Sequence, residues 1–254
     1  MRDFTLRSYE QYLNILIEKN YQFIRIDEYL ALKTQPTRFC IIRHDVDRFP
    51  KRALNMALLE KKIGVVSTYY FRAKRYTFKP DIITEIAEMG HEIGYHYESL
   101  SDANGDMRLA LNDFKRNLGM FRNIVDVKTI AMHGRPLKSF DNRDMWRSNE
   151  NYEKLKLLNI TGEVYLDIDY SNIAYLNDTG RNWTSGLNNR RDKVKSNIDS
   201  SFNSKQELLS YLKKEPHSSI IFQIHPERWT KSILGFCFQI TLDNGINFAK
   251  KILK

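Results

Sequence analysis

Short runs of β-branched and aromatic residues alternate with amphipathic segments along this chain, and nothing else in the sequence restricts its fold as much. Phe39–Arg43, Val65–Phe71, His91–His96, Val127–Met132, Glu163–Ile168 and Ser219–Ile224 read as strands. Between them, apolar stripes at helical spacing predict helices over Ser8–Asn20, Lys51–Ile63, Asp81–Met89, Met107–Phe121, Tyr152–Leu158 and Lys205–Lys214, and a last one ending near Lys254. Pro50 suits a first helical turn, and Gly64 and Gly90 sit where helices stop. Such alternation calls for a parallel sheet clad in helices. A length of 254 residues suits a single α/β domain built as a β/α barrel over residues 1–254. Residues 1–37 read as an N-terminal helical extension, and 177–204 as a long polar loop of the kind that is usually functional or mobile.

In parallel β/α folds chemistry gathers at the carboxyl ends of the strands. Of the six histidines, His44, His96, His133 and His225 each fall at or just past the end of a different expected strand. One such histidine is ordinarily structural; four at one rim point to a metal or catalytic site. Asp45 and Asp47, two apart after the first of these strands, share a face, and paired carboxylates repel unless a cation or proton lies between them. Alternation puts His96 on one face with Glu92 and sends His91 to the other, so His91 reads as structural. Glu98 either binds a metal or orients His96, and Gly134 and Pro136 form a tight turn beside His133. Arg43, Arg135, Asp178, Arg181, Trp183 and Trp229 are the expected substrate contacts; a flat indole is the sort of surface that stacks on a sugar ring.

The net charge of +9 raises the question of nucleic acid, but the basic residues are scattered among acidic ones and form no base-reading helix. A mildly basic cleft for an anionic small substrate such as a sugar nucleotide fits as well. Met1–Leu16 lacks the apolar stretch of a signal peptide, and no run approaches a membrane span, so a cytoplasmic protein is expected. Cys40 and Cys237 sit in apolar runs and read as buried, reduced thiols.

The segments IIRHDVD, GHEIGYHYE, MHGRP and IHPERW, in this order on alternating elements, resemble the polysaccharide deacetylase superfamily with its NodB-like domain (carbohydrate esterase family 4-like). The nearest resemblance is to a divergent branch associated with bacterial surface-polysaccharide biosynthesis. It covers roughly Phe39 to Trp229. The resemblance implies a distorted (β/α) barrel of about seven parallel strands, a divalent metal, usually zinc, and removal of an N-acyl group from a sugar, sugar nucleotide or surface glycan. Carried over, Asp45 matches the base, Asp47 the metal-binding aspartate, His96 the first metal histidine and His225 the late acid. The chain departs from the pattern twice. The usual second metal histidine falls at Leu100, and the usual arginine falls at Gly134, which leaves Glu98 or His133 to complete the metal site. A non-catalytic carbohydrate-binding relic of the same fold, or a metal-dependent phosphoesterase, are the rival expectations.

Overall fold

The computed structural model describes residues 3–135, 138–183, 191, 193–214, 216–231, 235, 239 and 241. The chain runs α1 (Leu6–Glu18), β1 (Gln22–Phe23), α2 (Ile26–Ala31), β2 (Phe39–Val46), α3 (Pro50–Lys62), β3 (Thr68–Phe71), α4 (Pro80–Glu88) and β4 (Glu92–Tyr97). It continues α5 (Ser99–Asp102), α6 (Met107–Arg122), β5 (Thr129–Met132), α7 (Asn149–Leu157), β6 (Gly162–Glu163), α8 (Val164–Asp167), β7 (Ala174–Asn177), α9 (Lys205–Lys213) and β8 (Ser219–Ile224). Seven parallel strands curl into a half-barrel in the order β6-β5-β4-β3-β2-β8-β7, with helices around it, and β1 pairs with β2 off this path. This is the expected distorted (β/α) barrel.

Strand alternation sorts the side chains into two layers. Phe39 and Ile41 of β2, Tyr70 of β3, Ala131 of β5, Tyr175 of β7 and Ile221 of β8 fill the barrel interior. Their neighbours in sequence, such as Cys40, Ile42, Tyr69, Ile130 and Phe222, face the helices. Gly94 has to be glycine for this interior to close, because a Cβ there would lie 2.2 Å from the Tyr70 ring. Burying each large apolar side chain contributes roughly 1.5–3 kcal/mol.

Some local expectations are corrected. Glu163–Ile168 is a two-residue strand followed by α8, because the Glu163 carboxylate caps the amides of Tyr165 and Leu166 and starts a helix. Residues 174–176, to which the sequence assigns no element, and Asn177, the start of the expected loop, form β7 against β8. The segment 1–37 is not only helical, since its Gln22–Phe23 pairs with Phe39–Cys40. Part of the expected 177–204 loop is tied back by a bridge between Trp183 and Phe202. Cys40 is a buried free thiol; Cys237, Pro136 and most of the expected C-terminal helix lie outside the described residues.

His44 does not join the rim. It alternates with Arg43 and Asp45, so it points outward to the helices and bonds Glu60 of α3 at 2.7 Å. Glu60 also accepts hydrogen bonds from Tyr9, from Tyr69 at 2.8 Å and from Ser67 at 2.7 Å. Burial opposes the charged form of Glu60, but His44, His91 and these donors outweigh it and hold the carboxyl at about 2, against an ordinary 4.5. Its stabilising effect is therefore complete above pH 4.5 and is lost as pH falls towards 2, about 3 kcal/mol in all. Urea titrations of the parent and Glu60→Gln should give midpoints far apart at pH 6 that converge as pH falls from 4.5 towards 2. A gap independent of pH would contradict the assignment.

Candidate metal and acid–base site

Register brings the chemistry to one end of the barrel. Arg43 of β2 pairs with Gln223 of β8, so Asp45 and His225 stand level, two residues further on. His96 of β4 pairs with Ala131 of β5, so Glu98 and His133 stand level in the same way. Asp47 follows β2 directly. Six groups, Asp45, Asp47, His96, Glu98, His133 and His225, from four different strands thus meet where parallel strands deliver their side chains.

Asp47 Oδ1 lies 3.5 Å from His96 Nε2 and 3.4 Å from His133 Nε2. Ligand-capable atoms of these three residues all fall within 4.8 Å of one another. Both imidazoles are oriented from behind. His96 Nδ1 donates to the Ala131 carbonyl at 3.0 Å, and His133 Nδ1 donates to Glu98 Oε2 at 2.9 Å. Each histidine therefore turns Nε2 towards Asp47, whose Oδ1 is buried without a hydrogen-bond partner. A buried, unsatisfied carboxylate oxygen facing two imidazole nitrogens is a donor set that suits a divalent cation, and two imidazoles with one carboxylate suit zinc. Burial works against charge on His133, yet Asp47 and Glu98 outweigh it and raise it to about 9.

Glu98, expected among the metal ligands, is committed elsewhere. Arg72 grips both its oxygens at 2.8 and 2.9 Å, and Lys74 approaches at 3.2 Å. Its remaining capacity is taken by His133, whose imidazole it orients, and it is not among the three residues whose donor atoms converge. Arg135, expected as a substrate contact, stands at the rim, 3.4 Å from Glu98 and 3.5 Å from Asp102.

Asp45 is buried and held on both oxygens. Arg43 Nε and Nη2 donate at 2.8 Å each, and Gln223 Nε2 donates at 2.7 Å. Burial would raise its pKa, but Arg43, His96 and His225 outweigh burial and keep the carboxyl below the ordinary range. Gln223 is itself fixed by Tyr175 and by Asn177 at 2.5 Å. Arg43 is fully buried, its guanidinium 4.5 Å from the Tyr165 ring, so it anchors Asp45 and is no substrate contact.

On the far side, His225 Nδ1 donates to Asp178 Oδ1 at 2.6 Å, and its amide donates to Oδ2 at 2.9 Å. Burial and Arg228 lower the His225 pKa, but Asp178 outweighs them and raises it above the ordinary value. Asp178 is wholly buried and also takes the indole N–H of Trp229 at 2.8 Å, so it orients His225 and does not meet substrate. Trp183 and Trp229 are correspondingly not sugar platforms. They are 2% and 1% exposed, packed with Phe4 and Tyr12 in the outer core, and Trp183 donates to Asp3 at 2.8 Å. Arg181 stacks on Phe4 and donates to the Arg228 carbonyl at 3.0 Å. Sequence reading missed Arg72 and Gln223. Their neighbours in space come from other strands, and no local spacing announces them.

Among the described residues no helix is long and apolar enough to cross a membrane. No protein-family model and no curated protein matches the chain. Among solved structures, a CE4 family pseudoenzyme from Bacillus anthracis is 14% identical with a TM-score of 0.47, over 84% of this chain and 62% of that one. This chain thus spans under two thirds of that protein. The catalytic domain of a peptidoglycan N-acetylglucosamine deacetylase from Eubacterium rectale is 12% identical with a TM-score of 0.48, over 84% and 86% of the two chains. A CE4 esterase from Streptococcus mutans is 13% identical with a TM-score of 0.46, over 92% and 90%. Likenesses this distant carry no argument about chemistry.

Proposed function

We propose that this chain is a divalent-metal-dependent amide hydrolase of the polysaccharide deacetylase type, removing an N-acyl group, chiefly acetyl, from a sugar unit of a glycan or sugar nucleotide. The observation that carries this reading is the unsatisfied Asp47 Oδ1 beside two pre-oriented imidazoles, with Asp45 and His225 at the same mouth. Asp47, His96 and His133 would hold the ion, three protein ligands leaving a position open. When bound, a zinc ion there supplies polarisation of the acyl carbonyl and a water of lowered pKa.

The protein's own groups do the rest. Asp45, kept ionised by Arg43 and steered by Gln223, takes the proton of the attacking water. His225 carries the proton that the departing amine needs, since an unprotonated amine leaves poorly. Asp178 holds its Nδ1, which leaves Nε2 as the proton-donating atom. Leu100 sits in the core, so His133 from β5 takes the place of the missing second histidine.

Two expectations follow. The zinc-loaded protein should release amine from a member of a panel of N-acetylated sugar nucleotides and glycans; chelation should stop release and zinc restore it. Absence of release from the whole panel by the zinc-loaded protein would defeat the reading. Second, His225 is raised above 6.5 chiefly by Asp178, so its acid form persists past neutrality and the basic limb of the rate profile lies above pH 6.5. Asp178→Asn should move that limb to lower pH. An unmoved limb would assign it to another group.

A further inference from the structure

His133 is held from two sides by nearby parts of the chain. Glu98 orients its imidazole, and its carbonyl accepts from Asn142 Nδ2 at 2.7 Å, while Asn142 Oδ1 takes the Ser101 amide at 2.9 Å. The turn that follows is strained. Arg135 sits in the left-handed region at φ 36°, a conformation that costs energy for a residue other than glycine. From there its guanidinium reaches back to within 3.4 Å of Glu98. Such a backbone persists only where its surroundings hold it.

Arg191 supplies that hold from another part of the sheet. It lies in the polar stretch between β7 and α9 and is 8% exposed. Its Nη1 donates to the carbonyls of Gly134 at 2.6 Å and Arg135 at 2.9 Å, and its Nη2 donates to the Lys138 carbonyl at 2.6 Å. Consecutive carbonyl oxygens turned to one point repel each other unless a donor stands between them. A planar guanidinium presents several N–H groups in a fixed fork, so one side chain meets all three oxygens. β5 lies beside one edge of the sheet and β7 forms the other, so the clamp joins the two margins of the half-barrel. The same stretch begins near Asp178, which orients His225.

We infer that Arg191 is a positioning residue for the metal site: by clamping the turn after β5 it fixes His133, and through Arg135 also Glu98, in the arrangement that receives the ion. This rests on the reading of Asp47, His96 and His133 as the metal ligands. Arg191 bonds none of these three, so its effect on the ion passes through the turn.

The test measures zinc affinity of the full chain by competition with a chromogenic chelator, with Tm recorded alongside. Arg191→Ala should weaken zinc by about tenfold, the low end of what groups behind a ligand contribute. Arg191→Lys keeps the charge but not the fork and should fall between the variant and the parent. Guanidinium chloride, well below denaturing concentrations, should restore zinc affinity to Arg191→Ala, whereas potassium chloride at equal ionic strength should not. That rescue is the readout a general loosening of the fold would not give. An Arg191→Ala chain that holds zinc as tightly as the parent, whatever its Tm, overturns the inference while zinc in the parent leaves the metal-site reading standing. A loss of zinc that guanidinium does not repair also overturns it. A parent that holds no zinc sinks the metal-site reading, and the inference with it.

Discussion

Asp45→Asn and His225→Ala should each lower turnover by about 10²- to 10⁴-fold on any substrate the parent cleaves, with zinc content unchanged. Asn keeps the shape of Asp45 and the contact with Gln223, but it cannot accept a proton from water at neutral pH. It also leaves the buried Arg43 guanidinium facing an amide in place of its carboxylate partner, so a loss of stability is expected alongside. Tm therefore has to be measured with turnover, at a temperature where the variant is folded. His225→Ala removes the proton donor and frees Asp178, which keeps Trp229 and Arg228 as partners and so holds its loop. Its defect should fall on turnover much more than on Tm. Near-normal turnover in both variants would reduce Asp45 to an anchor for Arg43 and His225 to a cap on β8.

The second large effect concerns the third ligand. His133→Ala should abolish tight zinc binding, because only Asp47 and His96 remain of the three residues whose donor atoms converge. Glu98→Gln should weaken zinc by about 10- to 100-fold without abolishing it, since the ligand stays and only its orientation and basicity change. Competition titration against a chromogenic chelator ranks the two. Equal effects would make Glu98 a direct ligand, and no effect in His133→Ala would move the third ligand elsewhere. Because a ligand histidine must be deprotonated and His133 is raised to about 9 without metal, binding should release protons and weaken as pH falls.

The fold was legible where periodicity and strand length agreed. FCIIR, the apolar run before HGRP and SIIFQI each carry β-branched residues bounded by polar strand ends, and each is a strand. Glu163–Ile168 misled because Val164 and Ile168 have the look of a strand, whereas the decisive contact is a side-chain cap invisible to periodicity. Residues 174–177 were hidden because their polar neighbours on either side resemble loop. At the site, alternation separated His96 from His91 correctly, and by the same rule it should have excluded His44, which sits between Arg43 and Asp45 on the opposite face. Proximity to a strand end is not enough without parity.

The substrate-contact residues failed for a related reason. Trp183, Trp229, Arg43, Arg181 and Asp178 were chosen by chemical type, and type does not report burial. Their partners, Asp3, Phe4, Asp45 and His225, lie up to 180 positions away in sequence. What composition could not show is that each of these groups is already engaged within the protein: Arg43 with Asp45, Asp178 with His225, Arg181 with the Arg228 carbonyl, Trp183 with Asp3 and Trp229 with Asp178.

The account turns on one metal centre built from β2, β4 and β5, and zinc stoichiometry tests it most directly. Elemental analysis of the parent and of the Asp47→Ala, His96→Ala double variant, each loaded with zinc and desalted, should find one zinc per chain in the parent and none in the variant. A double variant that is folded and still holds stoichiometric zinc would contradict the site.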